Sequence, residues 1–325
     1  MTDHTPDPTS PADPVADLLA AQGLVILDGA LATELERRGA DLRDPLWSAR
    51  VLIDAPDLIR QLHWDYFDAG ADVATSASYQ ASFEGFARRG LDAEAAAALM
   101  RRSVALACEA RDAWWAEPAH RAGRRRPLVA ASVGPYGATL ADGSEYRGRY
   151  GLDEAALMAF HRPRLAVLAG AGADLLACET LPCLAEARAL ARLLPEFPQA
   201  RAWISFSCRD DHHTSEGEDF GDCVAALEDC PQIVAVGLNC TAPGHVPALV
   251  AAARARTARP IVVYPNSGEV YDADGSRWLG CADTHDFADQ AERWAGGGAR
   301  LVGGCCRTSP ADIAAVRRRL LARPA

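Results

Sequence analysis

Ala171-Gly172-Ala173-Asp174-Leu175-Leu176-Ala177-Cys178-Glu179-Thr180 is the stretch that decides the fold. Its glycine stands where a preceding helical segment should stop, a short apolar run follows, and a carboxylate closes the run. Ala69-Gly70-Ala71-Asp72 and Gly297-Gly298-Ala299-Arg300 repeat the joint ahead of two more apolar runs. Strands are expected at Leu24–Asp28, Asp72–Ala77, Leu128–Val133, Asp174–Glu179, Ala202–Ser207, Ile233–Asn239, Ile261–Tyr264 and Leu301–Gly304. Helical spacing lies between them, at 93–113, 153–170, 184–194 and 310–322 among others. The last opens with Ser309 as N-cap and Pro310 at the first helical position. Strand-then-helix alternation implies a parallel sheet covered by helices. Eight such units in about 300 residues fit a single-domain α/β fold, a (β/α)8 TIM barrel. An open doubly wound sheet fits less well, because no glycine-rich dinucleotide fingerprint follows the first strand.

Residues 1–20 read as a disordered N-terminal tail, since their first fourteen are rich in Pro, Asp, Thr and Ser; residues 21–325 read as the barrel. The chain is 49 % hydrophobic and 24 % charged, an ordinary globular composition. A formal net charge of −11 argues against a nucleic-acid partner, whose phosphates would be repelled. Arg124-Arg125-Arg126 reads as a solvated loop. No apolar run is long enough for a membrane span, and no signal-peptide pattern opens the chain, so the cytoplasm is the expected compartment. Ten cysteines in a reducing compartment suggest a metal site or apolar packing before a disulfide framework.

In such a barrel the chemistry sits at the C-terminal ends of the strands. Cys240 follows one strand there, and Cys305-Cys306 follow another. Three thiolates with one open position are how a protein holds a catalytic zinc. Neighbouring residues on a strand point to opposite faces, so Gly303-Gly304 is expected to supply the backbone freedom that turns both sulfurs inward. Simple buried packing stays open for this trio, and a vicinal disulfide is disfavoured by the compartment. Cys108, Cys178, Cys208, Cys223 and Cys230 read as small buried hydrophobes, while Cys183 and Cys281 are left out of the site.

The chain resembles the homocysteine S-methyltransferases, in particular those that use S-methylmethionine. The resemblance rests on Leu27-Asp28-Gly29-Ala30-Leu31-Ala32-Thr33-Glu34-Leu35, Asp44-Pro45-Leu46-Trp47-Ser48 and Ala77-Ser78-Tyr79-Gln80-Ala81-Ser82. It continues through Ser132-Val133-Gly134-Pro135-Tyr136-Gly137, Asp142-Gly143-Ser144-Glu145-Tyr146-Arg147-Gly148 and Leu176-Ala177-Cys178-Glu179-Thr180. Gly237-Leu238-Asn239-Cys240, Val263-Tyr264-Pro265-Asn266-Ser267-Gly268-Glu269 and Gly303-Gly304-Cys305-Cys306-Arg307-Thr308 complete it, covering residue 24 to the C-terminus. Three departures stand out: a longer tail, an arginine-rich insertion at 117–126, and Glu216-Gly217 where Asp-Gly is expected.

The resemblance implies a (β/α)8 barrel, Zn2+ on Cys240, Cys305 and Cys306, and methyl transfer from a sulfonium to homocysteine, giving methionine. The substrates are small molecules. Asp28 and Glu179 are placed to bind the ammonium of homocysteine, and the backbone at Gly29 to bind its carboxylate. Trp47 and Tyr79 suit a sulfonium through cation–π attraction. S-adenosylmethionine, betaine or a methylated folate as donor, and selenohomocysteine as acceptor, remain open. A non-catalytic zinc-binding protein is the alternative from another class, against which the ammonium pocket argues.

Overall fold

The computed structural model describes residues 13–40, 47–268, 270–272, 277–279 and 287–321. Eight parallel strands form one sheet: β1 (Val25–Ile26), β2 (Val73–Thr75), β3 (Leu128–Val133), β4 (Leu175–Leu181), β5 (Ala202–Phe206), β6 (Ile233–Asn239), β7 (Ile261–Tyr264) and β10 (Ala299–Val302). The two remaining strands, β8 (Val270–Asp272) and β9 (Arg277–Leu279), make a separate antiparallel hairpin that the sequence reading did not anticipate. Order within the sheet runs β1-β10-β7-β6-β5-β4-β3-β2, and a parallel bridge from Leu27 to Val73 closes it into a barrel. The expected TIM barrel is the observed fold.

The repeated helix-to-strand joint performs the same task twice. Asp72 accepts the N–H of Ile26 on the preceding strand at 3.0 Å and a guanidinium N–H of Arg317 at 2.9 Å. Asp174 accepts Val129 N–H and Arg111, both at 2.7 Å. Each carboxylate thus locks a strand to its predecessor and to a covering helix. Asp72 is fully buried, which is tolerable because both of its oxygens are hydrogen-bonded, whereas Asp174 is half-buried.

Side-chain alternation sorts the core into two layers. Val25, Val73, Ala130, Leu175, Ala177, Trp203, Val262 and Leu301 fill the barrel, while Ile26, Ala131, Leu176, Val236 and Val302 meet the helices. One step further along the inward parity, the apolar filling gives way to Ser132, Glu179, Ser205, Asn239 and Tyr264, all buried. The barrel mouth is therefore polar by the same arithmetic that makes its centre apolar.

Two expectations are corrected. Helix Pro14–Gln22 starts inside the stretch read as tail, capped by Asp13, whose carboxylate accepts Val15 N–H at 2.9 Å, and ended by Gly23. Its Val15 and Leu18 pack with the barrel interior, so it is a plug; residues 1–12 lie outside the described residues. Arg124 is not solvated. Its guanidinium donates to Ala71 O at 2.8 Å and lies 5.0 Å from the Trp114 ring centroid, while Arg125 and Arg126 are exposed. Arg124→Ala should cost about 1–2 kcal/mol, the sum of one hydrogen bond and one partly desolvated cation–π contact. Urea unfolding of the variant measures it, and a midpoint unchanged from wild type would contradict the assignment. Cys108 is half-buried rather than buried, whereas Cys178, Cys183, Cys208, Cys223 and Cys230 are buried; Cys281 lies outside the described residues.

Candidate metal and substrate site

Cys240 follows directly on β6, and Cys305 and Cys306 begin the turn after β10. Their three sulfurs lie within 4.8 Å of one another, each residue half-buried. Backbone hydrogen bonds fix the turn from several sides. Gly304 N–H donates to Asp28 O at 3.1 Å, Cys305 N–H to Pro265 O at 2.8 Å, and Ser267 N–H to Cys306 O at 3.1 Å. The reason for Gly303-Gly304 differs from the expected one. Neither takes a left-handed torsion. A Cβ on Gly303 would instead come 2.5 Å from Leu27 Cβ, and one on Gly304 would strike Thr308 Oγ1. Space, not torsional freedom, demands glycine there. Three non-glycine residues at or beyond the strand ends do take left-handed torsions: Thr180 (φ 61°), Cys240 (φ 46°) and, in the cysteine turn, Arg307 (φ 69°). Such conformations persist only where surrounding contacts impose them, as at ligand sites.

Cys240 and Cys305 are joined as a disulfide with Cα atoms 5.6 Å apart, and Cys306 is a free thiol. The link crosses between two strand ends and is not the vicinal one weighed from sequence. Ligation by all three sulfurs requires it to be reduced. The donor set then fits zinc: Zn–S bonds near 2.3 Å in a tetrahedron place sulfurs roughly 3.8 Å apart. Cys306 Sγ stands 3.8 Å from Cys240 Sγ. Loss of surrounding water pushes the Cys306 thiol up to about 12, opposed by a hydrogen bond from Tyr146. A thiolate so placed calls for a cation.

Asn239 Nδ2 points at Cys305 Sγ from 3.9 Å. The same amide is pinned by Thr180, whose N–H it accepts at 2.7 Å and whose Oγ1 it donates to at 2.7 Å, and by Ser205. Asn239 and Tyr146 were quoted from sequence only as parts of motifs. Their contacts with the sulfurs depend on the fold.

The two expected carboxylates are buried beside this cluster. Asp28 accepts Thr75 N–H at 2.8 Å and the Thr75 hydroxyl at 3.2 Å. Glu179 accepts from the Ser132 hydroxyl and, at 3.0 Å, from the Tyr264 hydroxyl. Burial raises Asp28 to about 8, with the Glu179 charge adding to the rise, and raises Glu179 to about 6 against its two hydrogen bonds. The Glu179 charge also reaches Cys306. Among the described residues neither carboxylate has a cationic partner. Gly29 follows Asp28 in the same buried turn. Tyr79 lies beyond β2, its backbone carbonyl held by the buried Arg164 at 3.1 Å. The Tyr79 hydroxyl is buried beside Thr180 without a well-aligned hydrogen bond. Trp47 starts helix Trp47–Asp54, but its side chain lies outside the described residues.

The homocysteine S-methyltransferase family model matches residues 25–320. Homocysteine S-methyltransferase YbgG of Bacillus subtilis is 52 % identical over 301 residues, covering 93 % of this chain and 96 % of its own. The metallated form of the homocysteine methyltransferase MmuM from Escherichia coli superimposes with a TM-score of 0.86 at 52 % identity, covering 94 % of this chain and 100 % of that one. Its oxidized form does so with a TM-score of 0.87, again at 52 % identity, covering 95 % and 100 %. With matches spanning the barrel and the cysteine turn alike, the chain is a methyltransferase and belongs to the homocysteine S-methyltransferase family.

Proposed function

We propose that this protein transfers a methyl group from a sulfonium donor, S-methylmethionine in the first instance, to the thiol of L-homocysteine, with Zn2+ on Cys240, Cys305 and Cys306. The observation that carries the reading is the placing of three sulfurs within 4.8 Å of one another beside two buried carboxylates that have no cationic partner among the described residues. When bound, zinc supplies acidification of the incoming thiol and a fourth coordination position for it. Glu179, held by Ser132 and Tyr264, keeps lone pairs free for the homocysteine ammonium, and Asp28 stands on its other side. The backbone at Gly29 receives the carboxylate. Asn239 and Tyr146 direct polar hydrogens at the sulfur cluster and keep its charge from spreading into apolar surroundings. The thiolate pair forms the new S–C bond as the old C–S pair returns to the donor sulfur, which becomes a neutral thioether. Charge is consumed rather than created, so orientation of two sulfurs about one carbon is the protein's main task. Tyr79 stands on the donor side of this reading.

A donor panel tests it. Reduced, zinc-loaded protein with homocysteine should form methionine from S-methylmethionine, and S-adenosylmethionine is the second sulfonium to try. Methionine formed only from betaine or methyltetrahydrofolate would overturn the sulfonium reading.

A further inference from the structure

One half-buried carboxylate at the mouth, Glu145, is not used by the reading above. Glu145 lies in the short turn Ser144–Tyr146, in the loop that follows β3. Its Oε2 is shielded from solvent and makes no hydrogen bond. Its charge reaches both the Cys306 sulfur and the Tyr79 hydroxyl, the latter itself buried and unsatisfied. The next residue, Tyr146, hydrogen-bonds Cys306. Arg147 is exposed and donates to Asp142 O at 2.9 Å; its charge reaches the Glu145 carboxylate, but no ion pair joins the two among the described residues.

The turn is rigidly held. Ser207 Oγ donates to Glu145 O at 3.2 Å, and Ser144 N–H donates to Asp142 Oδ1 at 2.9 Å. Gly137 packs so closely that a Cβ there would lie 2.5 Å from Glu145 N. A Cβ on Gly148 would meet Glu216, so the Glu216 departure noted from sequence bears on this same loop. An unpaired acceptor on a fixed turn, walled off from water, is costly unless a ligand completes it.

We propose that the Glu145 carboxylate binds the α-ammonium of an amino-acid sulfonium donor, a second ammonium site beside the one formed by Asp28 and Glu179; this rests on the sulfonium reading above. The ammonium is the cationic part of such a donor whose charge survives the reaction. A carboxylate set against the sulfonium itself would stabilise the reactant and lose that stabilisation as the methyl leaves, which slows the chemistry. Set against the ammonium, it binds reactant and transition state alike, and so acts on KM rather than kcat. Glu145 thereby selects donors that carry an amino-acid end over sulfoniums and betaines that do not.

Glu145→Gln tests this on zinc-loaded protein. Against wild type, KM for S-methylmethionine should rise by about tenfold or more, the worth of one charge-assisted hydrogen bond. The kcat, the homocysteine KM and the zinc content should stay within about twofold. With dimethylsulfoniopropionate, a sulfonium lacking the ammonium, wild type and variant should give the same KM. An unchanged KM for S-methylmethionine, or equal losses with both donors, would overturn the assignment. A rise in homocysteine KM or a loss of zinc would show a merely structural role and overturn it too. Failure of the wild-type protein to use any sulfonium sinks the underlying reading instead, and is seen before the variant is made.

Discussion

Cys306→Ala should lose bound zinc and lower kcat/KM for methionine formation by more than about 100-fold, the upper end of what loss of a supporting residue produces. The argument is one of charge. Each of the three cysteines sits half-buried at the mouth, and burial, with the Glu145 and Glu179 charges adding to it, drives the Cys306 thiol up to about 12. A divalent cation offsets that penalty for the thiolate form, and with two sulfurs left the cation loses a ligand and the constraint on its open position. Asn239→Ala, which removes only the amide aimed at Cys305, should cost about 10–100-fold and leave zinc partly retained. Because Cys306 is half-buried at the mouth and lies outside the apolar cores, its loss should leave the thermal unfolding of the barrel close to wild type. Elemental analysis after reduction and zinc loading decides the matter: near-stoichiometric zinc in Cys306→Ala would refute the ligand set. Reduction must come first, since the Cys240–Cys305 link withholds two of the three donors.

What the sequence made legible follows from how local each signal is. Leu128–Val133, Ile233–Asn239 and Ile261–Tyr264 match the observed strands at both ends, because buried parallel strands are continuous apolar runs bounded by breakers. Ser309 and Asp312 cap the last helix as expected, with Ser309 N–H donating to Asp312 Oδ2 at 2.8 Å. The first helix is readable too, since Asp13-Pro14 and Gly23 are start and stop signals, although the dozen residues before them have the composition of a tail. The hairpin of β8 and β9 has strands of three residues, too short for periodicity to speak. Arg124 illustrates a different limit. Its fate is set by Trp114 on a helix and Ala71 before a strand, and nothing in Arg124-Arg125-Arg126 distinguishes the first arginine from the others. For the site, residue types at strand ends pointed to Asp28, Glu179 and the three cysteines. Asn239, Tyr146 and Glu145 were invisible as functional groups, since inward parity and loop closure, not spacing, bring them to the sulfurs.

Glu179→Gln should raise KM for homocysteine by about 10–100-fold with zinc content unchanged, as one charge-assisted hydrogen bond to the ammonium becomes a neutral one. Gln is the informative substitution, because Ala would strand the Ser132 and Tyr264 hydroxyls that Glu179 now satisfies. The pH profile separates charge from shape. Glu179 is raised to about 6 by burial, and only its ionised form attracts an ammonium. Affinity for the amino-acid end should therefore improve as pH climbs through about 6 and level off above. In Glu179→Gln that step should vanish. Asp28, raised to about 8, is mostly protonated at neutral pH before substrate arrives. An ammonium docking beside it favours the carboxylate, so binding should expel a proton near pH 7. Titration calorimetry with 2-aminobutyrate, which lacks a thiol proton to confuse the count, in two buffers of different ionisation enthalpy reads that proton directly. Asp28→Asn should abolish the release. A homocysteine KM within about twofold of wild type in Glu179→Gln, or proton release that persists in Asp28→Asn, would remove the corresponding carboxylate from the ammonium pocket.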